Sequence, residues 1–575
     1  MASRPSHRYA FDDVVVDAEN YRVYKAGELR PIGPRAFDLL LDLLRHPGRV
    51  LDKDELIDRV WQGVAVTDNA LTRAIKDLRR AIGDRARSPK YIETASRRGY
   101  RFVADVREVP ATRRVSLLVL PFDDLSAAPA AHLTGGLVEE LIARLGRLAP
   151  DQLTVIGHSS AVAAHEAGRP WAALGRELDA DYVVLGSVRR DARVQVSVQL
   201  CRVSDAQVAA TRTFGADATD AAGVEETLAE AIATDVQVRL SESATPAVPP
   251  VPPEAHNALL EGRYFLRLRT ADGIAKARAA FERAVAVAPD LARAHVGLAH
   301  CHAFFIMGSL PSAEGRADGF AAITRARQLD DRLAEAHAVL AVLECSEWRF
   351  RDAERSLRWS IALDPNDPHP RHWLAMFPLV ASERYEEALE QLRLARRLDP
   401  LSLIISADIA GVYCMTRQFE RAVTQCTASL HLDPNFARAH VYLGWARAGL
   451  GRHDAAVVAL ETAARLDASA WTRAWLGYAY GAAGRAADAH SVLETLHRPH
   501  AGHGELPFLV GVVHAGLGDV DEALEWFERA VDERSYWVSS LAAFPALDRL
   551  RADRRFETLL RRIRDAAWPD PGGTL

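Results

Sequence analysis

The stretch from Val66 to Phe102 reads VTDNALTRAIKDLRRAIGDRARSPKYIETASRRGYRF and decides the fold of the N-terminal part of the chain. Its first half predicts one helix, with Asp68 as N-cap and Gly83 just past its end. Four apolar residues recur at helical spacing and predict a buried stripe: Leu71, Ile75, Leu78 and Ile82. The opposite face carries polar and basic residues: Asn69, Thr72, Arg73, Lys76, Arg79 and Arg80. A helix with these two faces suits the DNA major groove in width and in chemistry.

The second half of the stretch predicts a β-hairpin. Its strands run from Tyr91 to Ala95 and from Tyr100 to Val103. The turn between them carries Arg97 and Arg98, which we expect to reach a phosphate or the minor groove. A basic helix followed by a basic hairpin indicates a DNA-binding module.

This pattern extends over residues 8–106 and resembles a known family. PIGPRAFDLLLDLLRHPGRVLDKDELIDRVWQGVAVTDNALTRAIKDLRRAIGD and YIETASRRGYRFVADV resemble the winged helix-turn-helix effector domain of OmpR/PhoB-type regulators. The hairpin residues RRGYRF are most similar to the CadC/ToxR branch. The resemblance implies an N-terminal sheet that includes Arg22 to Pro31. It also implies helices at Arg35 to Leu44, Asp54 to Trp61 and Asp68 to Ile82, the last being the recognition helix.

The resemblance to winged-helix complexes also implies which residues contact DNA. Thr72, Arg73, Lys76 and Arg79 are expected to face the groove, with Arg80 on the same basic face. Arg73 and Lys76 are the candidates for base edges, because Arg and Lys pair with guanine O6 and N7. The remaining candidates are Thr94 at the foot of the wing, Arg97 and Arg98 at its tip, and Trp61 and Asn69 as supports for phosphate contacts. Asp77 departs from the family pattern, so the operator sequence does not carry over.

Composition and charge agree with a multidomain protein that has a basic head. The chain has 575 residues, 49% of them hydrophobic, and a net charge of −6. Residues 1–106 nevertheless hold 20 Lys and Arg against 16 Asp and Glu. A basic N-terminal module on an acidic body is the asymmetry expected of a DNA-binding head joined to a sensor.

Several features bear on the compartment and on the mode of regulation. The five cysteines lack the spacing of a disulfide framework or a zinc site. We find no apolar run typical of a signal peptide or a membrane span, and Arg107 to Val115 is short and polar where CadC-type proteins carry a transmembrane helix. We therefore expect a cytoplasmic protein without a membrane anchor. The head begins at about residue 8, so we expect no phosphoacceptor receiver domain ahead of it.

Residues 115–240 predict an α/β middle domain. Val115 to Pro121 is a buried-strand run, and amphipathic helices and alternating strands follow it up to Leu240. LPFDDLS, GLVEELIARL, IGHSSA, GRELDADYVVLGSVRR and VQVSVQL resemble a TolB amino-terminal-like domain. Residues 241–253 (SESATPAVPPVPP) are rich in proline and predict a linker.

From residue 254 onward the chain repeats with a period of about 34 residues, typical of tetratricopeptide units. A small residue is followed four positions later by a bulky one and seven positions later by another small one, as in Ala277, Phe281 and Ala284. The pattern recurs at Ala353, Ala388, Ala422, Ala456, Ala489 and Ala523. We expect about eight helical units forming an independent all-α solenoid tail, with Phe544 to Ile563 as a capping helix. The predicted fold is thus a winged helix-turn-helix (α+β) head, an α/β middle domain and a repeat tail.

Other candidate sites are weaker. Gly157 to Ala161 (GHSSA) lacks the second glycine of a nucleophile elbow and predicts a polar loop. His497, His500 and His503 could bind a metal, but a loop between repeats explains them better. A group of aromatic residues fits either repeat core or a ligand groove: Trp445, Trp471, Trp475, Tyr478 and Tyr480. We predict no enzyme activity, no cofactor and no metal.

Two functions remain open at this stage. The first is a one-component transcription regulator that binds double-stranded DNA, as a possible dimer, and binds a protein or peptide, in preference to a small molecule, in its repeat groove. The alternative is an interaction scaffold whose winged helix is not a DNA reader. A gel shift with the protein's own upstream region at two salt concentrations distinguishes them.

Overall fold

The computed structural model describes residues 8–568, with gaps at residues 31, 62–67, 96–97, 110–113, 127–130, 151, 167, 191–192, 218–220, 237–250, 269, 309–312 and 498–505. The contacts divide the chain into two compact units. One unit contains the head, and the other contains the middle region and most of the tail.

The head combines an N-terminal antiparallel sheet with three helices and a small C-terminal sheet. Its elements are β1 (Arg8–Phe11), β2 (Val14–Asp17), β3 (Arg22–Lys25), β4 (Glu28–Arg30), α1 (Pro34–Arg45), β5 (Val50–Asp52), α2 (Lys53–Trp61), α3 (Asp68–Ile82), β6 (Ile92–Ala95), β7 (Gly99–Phe102) and β8 (Arg107–Val109). The sheets have the strand orders β4-β3-β2-β1-β8 and β5-β7-β6. The three helices and the hairpin are confirmed within about two residues. The sequence prediction missed β5, β8 and the first two strands.

An aromatic cluster joins the two sheets of the head. The ring of Phe11 on β1 lies 5.1 Å from Tyr91 and 4.8 Å from Phe102 on β7. All three side chains are buried. Burying three aromatic rings together supplies much of the apolar area that ties the hairpin to the N-terminal sheet.

The middle region is a mixed sheet with helices on both faces. Its elements are β9 (Val115–Val119), β10 (Asp123–Asp124), α4 (Ala131–Leu148), β11 (Leu153–Val155), α5 (His158–Glu166), α6 (Trp171–Glu177), β12 (Tyr182–Arg190), β13 (Arg193–Arg202), β14 (Gln207–Asp217) and α7 (Ala221–Asp235). The strand order is β11-β9-β12-β13-β14, and β11, β9 and β12 run parallel. Helices α4 and α7 cover one face, and α5 and α6 cover the other. Gly157 to Ala161 is not the predicted loop, since α5 begins at His158.

The described part of the tail contains eight consecutive helix pairs, as predicted. They are α8 (Pro253–Arg267) with α9 (Ala271–Val287), α10 (Ala292–Gly308) with α11 (Ala313–Leu329), α12 (Ala334–Ser346) with α13 (Phe350–Leu363), α14 (Pro368–Leu374) with α15 (Tyr385–Leu398), α16 (Leu403–Met415) with α17 (Phe419–Leu432), α18 (Ala437–Gly449) with α19 (His453–Leu466), α20 (Ala470–Ala482) with α21 (Ala486–Leu496), and α22 (Leu506–Leu517) with α23 (Val520–Asp532). A π-helical turn, Ala375–Leu379, extends α14.

The spacing of small and bulky residues has a direct steric reason. The ring of Phe281 lies so close to Gly262 on α8 and Gly297 on α10 that a Cβ at either glycine would come within 2.5 Å of it. The bulky residue of one helix therefore packs against the bare backbone of the helices on both sides. This close approach lets successive pairs stack into a solenoid.

The C-terminal region differs from the predicted capping helix over Phe544 to Ile563. Two 3-10 segments come first, Trp537–Ala543 and Pro545–Ala552, and only then α24 (Arg554–Ala567). Asp553 lies between the second 3-10 segment and α24. Its carboxylate accepts a hydrogen bond from the Arg555 backbone N–H at 2.8 Å and so caps α24.

The tail packs against the middle region and shares one compact unit with it, a contact that the sequence analysis did not predict. On α4, a Cβ at Gly136 would lie 2.9 Å from the Leu260 side chain of α8. The Asn366 amide donates to the Gly146 carbonyl at 2.8 Å and to the Leu153 carbonyl at 3.2 Å. Ser160 on α5 donates its backbone N–H to the Asp399 carboxylate at 2.8 Å. These buried polar contacts make the middle region and the repeats one packed unit.

Candidate nucleic-acid interface

The recognition helix α3 has the two faces that the sequence predicted. Leu71, Ile75, Leu78 and Ile82 are at most 2% exposed and pack into the head. The outward face exposes Thr72, Arg73, Lys76 and Arg80. Arg80 lies 3.5 Å from Asp77 in an exposed pair, which contributes little to stability. Three positive charges on this face therefore project toward solvent, beside the carboxylate of Asp77.

Arg79 lies on the inner side of α3, which corrects the expectation that it faces the groove. The residue is 9% exposed. Its guanidinium donates to the Ile92 carbonyl at 2.8 Å and to the Thr94 hydroxyl at 3.0 Å. Helical spacing alone places Arg79 close to the boundary between the buried and the exposed face of α3. Its contacts with the hairpin show that the side chain points inward. Its guanidinium therefore binds the wing.

A residue that the sequence analysis passed over, Asp84, connects the recognition helix to the wing. Helix α3 ends at Gly83 in a left-handed conformation (φ +73°), and the Asp84 N–H donates to the Arg79 carbonyl at 2.8 Å. The buried Asp84 carboxylate then accepts the backbone N–H groups of Lys90 at 2.7 Å and Ile92 at 3.0 Å. It also lies 3.7 Å from the Arg79 guanidinium. An acidic residue directly after a helix-ending glycine was the signal available in the sequence.

The wing is the β6–β7 hairpin, in which Ile92 pairs with Phe102 and Ala95 with Gly99. Arg98 is exposed at its tip, and Thr94 is exposed near the foot while its hydroxyl accepts from Arg79. Gly99 has φ +148°, and a Cβ there would lie 1.9 Å from the Leu51 carbonyl oxygen. Only glycine fits at this position, where β7 pairs with the end of β5.

Tyr91 anchors the start of the wing to the N-terminal sheet. Its hydroxyl donates to the Asp12 carboxylate at 2.8 Å. Burial raises the pKa of Tyr91, which keeps the phenol protonated and able to donate. The wing is thereby held at both ends, by Tyr91 at its start and by β5 along β7.

Three of the predicted contacts cannot be placed. Arg97 lies outside the described residues. Trp61 and Asn69 lie in α2 and α3, but their side chains are outside the described part of the structure. The described residues bring together Thr72, Arg73, Lys76 and Arg80 on one helix face, with Thr94 and Arg98 on the wing.

The other candidate sites give no competing centre. Within the described ranges, no group of three or more His, Cys, Asp or Glu residues could hold a metal ion. His497 is described and its Nδ1 lies 2.8 Å from the Leu493 carbonyl, whereas His500 and His503 fall outside the described residues. No helix in the described segments is long and apolar enough to cross a membrane.

The head is a winged-helix domain of the class found in transcriptional regulators. Residues 27–102 match the family model described as "Transcriptional regulatory protein, C terminal". Residues 113–232 match the model of the second domain of HilA/YgeH-like transcriptional regulators, and residues 416–470 and 476–536 match a tetratricopeptide repeat model. The middle region is thus similar to HilA-type regulators, and its resemblance to the TolB domain stays a prediction.

Among individual proteins, the chain is similar to the transcriptional activator CadC of Escherichia coli K12, at 38% identity over 86 residues, 15% of this chain and 17% of CadC. It is also similar to the cholera toxin transcriptional activator of Vibrio cholerae, at 32% identity over 18% of this chain and 35% of the relative. The transcriptional regulator HilA of Salmonella typhimurium is 27% identical over 26% of this chain and 27% of HilA. The chain therefore spans between 17% and 35% of the length of these relatives.

Two solved DNA-binding domains also match. The DNA-binding domain of E. coli CadC is 32% identical, with 19% of this chain and 100% of that chain covered and a TM-score of 0.17. The Klebsiella pneumoniae RstA DNA-binding domain, solved in complex with the RstA box, is 31% identical, with 17% and 96% covered and a TM-score of 0.16.

Proposed function

We propose that the chain is a one-component transcriptional regulator that reads double-stranded DNA with α3 in the major groove and with the wing on the backbone. The observation that carries this is the exposed face of α3, where Arg73 and Lys76 project without an acidic partner among the described residues. The family matches of the head and of the middle region to transcriptional regulators support it. This function needs no catalytic step. Because the protein acts on DNA, we place it in the cytoplasm, with the chromosome.

Each DNA-binding residue has a separate role in this proposal. Arg73 and Lys76 meet base edges, because they are exposed on the face of α3 that enters the groove. Thr72 and Arg80 flank them on α3. The head is positioned on phosphates by a further set of residues: Trp61, Asn69, Thr94, Arg97 and Arg98. Arg79 is left out of direct contact, because its guanidinium is already bound by the wing.

The repeat tail supplies regulation in this proposal. Tetratricopeptide solenoids present a long inner groove that takes an extended or helical segment of another protein. We propose a protein or peptide partner for the tail in preference to a small molecule, and a dimer on DNA. Removing residues 114–575 is then expected to leave DNA binding by the head and to abolish regulation in cells.

A gel shift tests the DNA-binding part. Full chain is titrated onto its own upstream region at several salt concentrations between 50 and 200 mM. If about five phosphates are neutralised, log K falls against log salt with a slope of about −4 to −5. A scaffold with an inactive winged helix gives no shift, and that result would refute the proposal in favour of the alternative.

A further inference from the structure

The residues that follow the last helix pair turn back along the repeats. We call residues 535–552 the return segment. The Ser535 carbonyl accepts a hydrogen bond from the Trp348 indole N–H at 3.3 Å, although the two residues are 187 positions apart. The Tyr536 ring lies 5.9 Å from Phe377, in the turn after α14. The segment thus reaches from the eighth pair back to the third and fourth.

Aromatic rings of the first helices line the rest of its path. Trp537 lies 4.0 Å, ring to ring, from Trp471 on α20. Phe544 lies 5.6 Å from Trp445 on α18 and 5.3 Å from Trp475 on α20. In a tetratricopeptide solenoid the first helices face the inner groove. The tryptophans that the sequence left open between core and groove therefore contact a peptide segment from the chain itself.

An ion pair fixes the register of this segment. Arg417, in the turn between α16 and α17, donates to both carboxylate oxygens of Asp548, at 2.5 and 3.1 Å. The apolar side chains between the aromatic anchors and this pair are at most 2% exposed: Val538, Leu541, Phe544 and Leu547. The return segment therefore has the features of a bound peptide, namely aromatic anchors, buried apolar contacts and one bidentate charge pair.

Two buried indole N–H groups lie beside Phe544, where the return segment packs against the repeats. The indole Nε1 atoms of Trp445 and Trp475 are buried and have no hydrogen-bond partner among the residues that the structure describes. The two residues are 5% and 1% exposed, and both rings contact the Phe544 ring, a side chain without an acceptor oxygen or nitrogen. A buried donor without a partner is unfavourable, so a segment with an acceptor at this place would bind better than the chain's own.

We propose that residues 535–552 are a built-in ligand of the repeat groove, which a protein partner displaces with a segment of the same chemistry. That partner segment carries two aromatic residues seven positions apart and an acidic residue four positions after the second. It also carries a hydrogen-bond acceptor beside the second aromatic side chain. The displacement step rests on the proposed function, which supplies the partner, whereas the occupancy of the groove rests on the contacts above.

The test uses the full chain, with a protease site inserted between Glu533 and Arg534, which are both exposed. The protein is folded first and then nicked. A fluorescent peptide of residues 534–553 is added, and its exchange for the resident segment is followed by anisotropy. We expect exchange, with Phe544→Ala and Trp537→Ala peptides at least tenfold weaker. An Arg549→Ala peptide, altered at an exposed position, serves as the matched control and is expected to bind as the parent does. Absence of exchange, or equal binding by all four peptides, would overturn the proposal.

A second measurement covers the case in which nicking unfolds the tail. In the intact chain, hydrogen exchange followed by mass spectrometry is expected to show amides of residues 535–552 opening before those of α22 and α23. If they open only together with these helices, the segment is permanent core and the proposal is wrong. Neither measurement involves DNA, so the gel shift of the same preparation fails or succeeds independently.

Discussion

Asp84 and Arg79 are buried side chains that connect helix α3 to the wing. The Asp84 carboxylate accepts two backbone N–H groups at the entrance to the wing, and Arg79 donates to the wing from the recognition helix. The Arg79 Nε and Asp84 Oδ2 atoms lie 3.7 Å apart, and both side chains are largely buried. The angle between α3 and the hairpin is thereby set by charge-assisted hydrogen bonds, which are stronger than neutral ones.

Arg79→Met tests this role at the scale of one residue. The substitution keeps the apolar stem but removes the donor to the Ile92 carbonyl and the Thr94 hydroxyl, and it leaves the buried Asp84 carboxylate without the positive charge beside it. We expect a loss of about 1–3 kcal/mol in the unfolding free energy of the head. Hydrogen exchange of head amides in the full chain measures it. Arg80→Met, in an exposed side chain one position on, is the matched control and should change stability by less than about 0.5 kcal/mol.

The division between base reading and phosphate binding gives a second prediction. Arg73→Ala and Lys76→Ala should each cost about 1–3 kcal/mol in binding to the specific site and relax sequence preference. Arg98→Ala should weaken binding to specific and non-specific DNA alike, because in the proposed function the wing tip positions the head on phosphates. Arg45→Ala on α1 removes the same charge from another exposed position and serves as control. Equal losses on both DNAs for all of the interface variants would show that the reading face is wrong.

At the scale of elements, close backbone approach explains why particular glycines stand in the wing and in the repeats. Gly99 lies where β7 pairs with β5, and Gly262 and Gly297 lie where two helices meet the ring of Phe281. In each case a Cβ would overlap an atom of the neighbouring element. The glycines therefore determine how closely elements pack and not only how they turn.

Gly99→Ala is expected to disrupt the small sheet of the head and abolish DNA binding. The added Cβ would meet the Leu51 carbonyl at 1.9 Å, and φ is +148°. Circular dichroism melting and the gel shift measure the two effects. Gly48→Ala is the matched control: φ is +77° there, but nothing lies within 4 Å of the added carbon. Its cost should be limited to backbone strain of about 1–2 kcal/mol. A Gly99→Ala variant as stable as Gly48→Ala would contradict this account.

In the tail, one buried carboxylate joins the first helices of three successive pairs. Asp408 on α16 lies 2.6 Å from His372 Nε2 on α14 and accepts from the Tyr442 hydroxyl on α18 at 2.8 Å. Arg438 donates to it at 3.2 Å. Burial works against the charged form, but Arg438 and these hydrogen bonds outweigh it and lower the pKa of Asp408 to about 2.

This pKa gives a pH-dependent prediction. The folded pKa lies below the ordinary value of 3.8, so the stabilisation by Asp408 is fully present above about pH 4 and is lost as the pH falls toward 2. Asp408→Asn should lower the unfolding free energy of the tail by about 3 kcal/mol at pH 7, because Arg438 is left without its anion. Urea unfolding at pH 7 and pH 3 should show the deficit shrinking at the lower pH. Asp454→Asn, at an exposed position on α19, should show neither effect.

At the scale of the whole molecule, the middle region and the repeats share a charged interface. Glu140 on α4 is 2% exposed and accepts from Arg263 at 2.6 Å, and Arg293 also pairs with it. Burial opposes its charge, but the arginines around it outweigh this and hold the pKa of Glu140 well below its usual range. This buried cluster of charges therefore joins the middle region directly to the first repeats.

Cutting the predicted Pro-rich linker (residues 241–253) ahead of α8 is expected to leave the tail attached to the rest of the chain. The buried contacts of α4 and α5 with the repeats hold the two pieces together without the covalent link. Size-exclusion chromatography after cleavage should show one peak for the parent. Glu140→Gln should release the tail at lower urea concentration, whereas Glu261→Gln, in an exposed pair with Arg283, should not. Immediate separation of the parent pieces would show that the interface is too weak.

The sequence by itself determined the elements whose signal is local. The apolar stripe of α3, the helices of the head, the hairpin and the eight helix pairs all follow from short-range periodicity, because side chains three or four positions apart share a helix face. The same periodicity and the family resemblance predicted the exposed candidates of the interface: Thr72, Arg73, Lys76, Arg80 and Arg98.

The tertiary structure decided what depends on distant partners. Arg79 points inward because its guanidinium binds the Ile92 carbonyl of the wing. Residues 158–161 form the start of α5 and not a loop, because they pack against the sheet and bind Asp399. The return segment forms 3-10 turns along the repeats instead of a cap. Its tryptophan partners, Trp445 and Trp471, lie more than sixty positions away from the residues that they contact, so no local pattern encodes them.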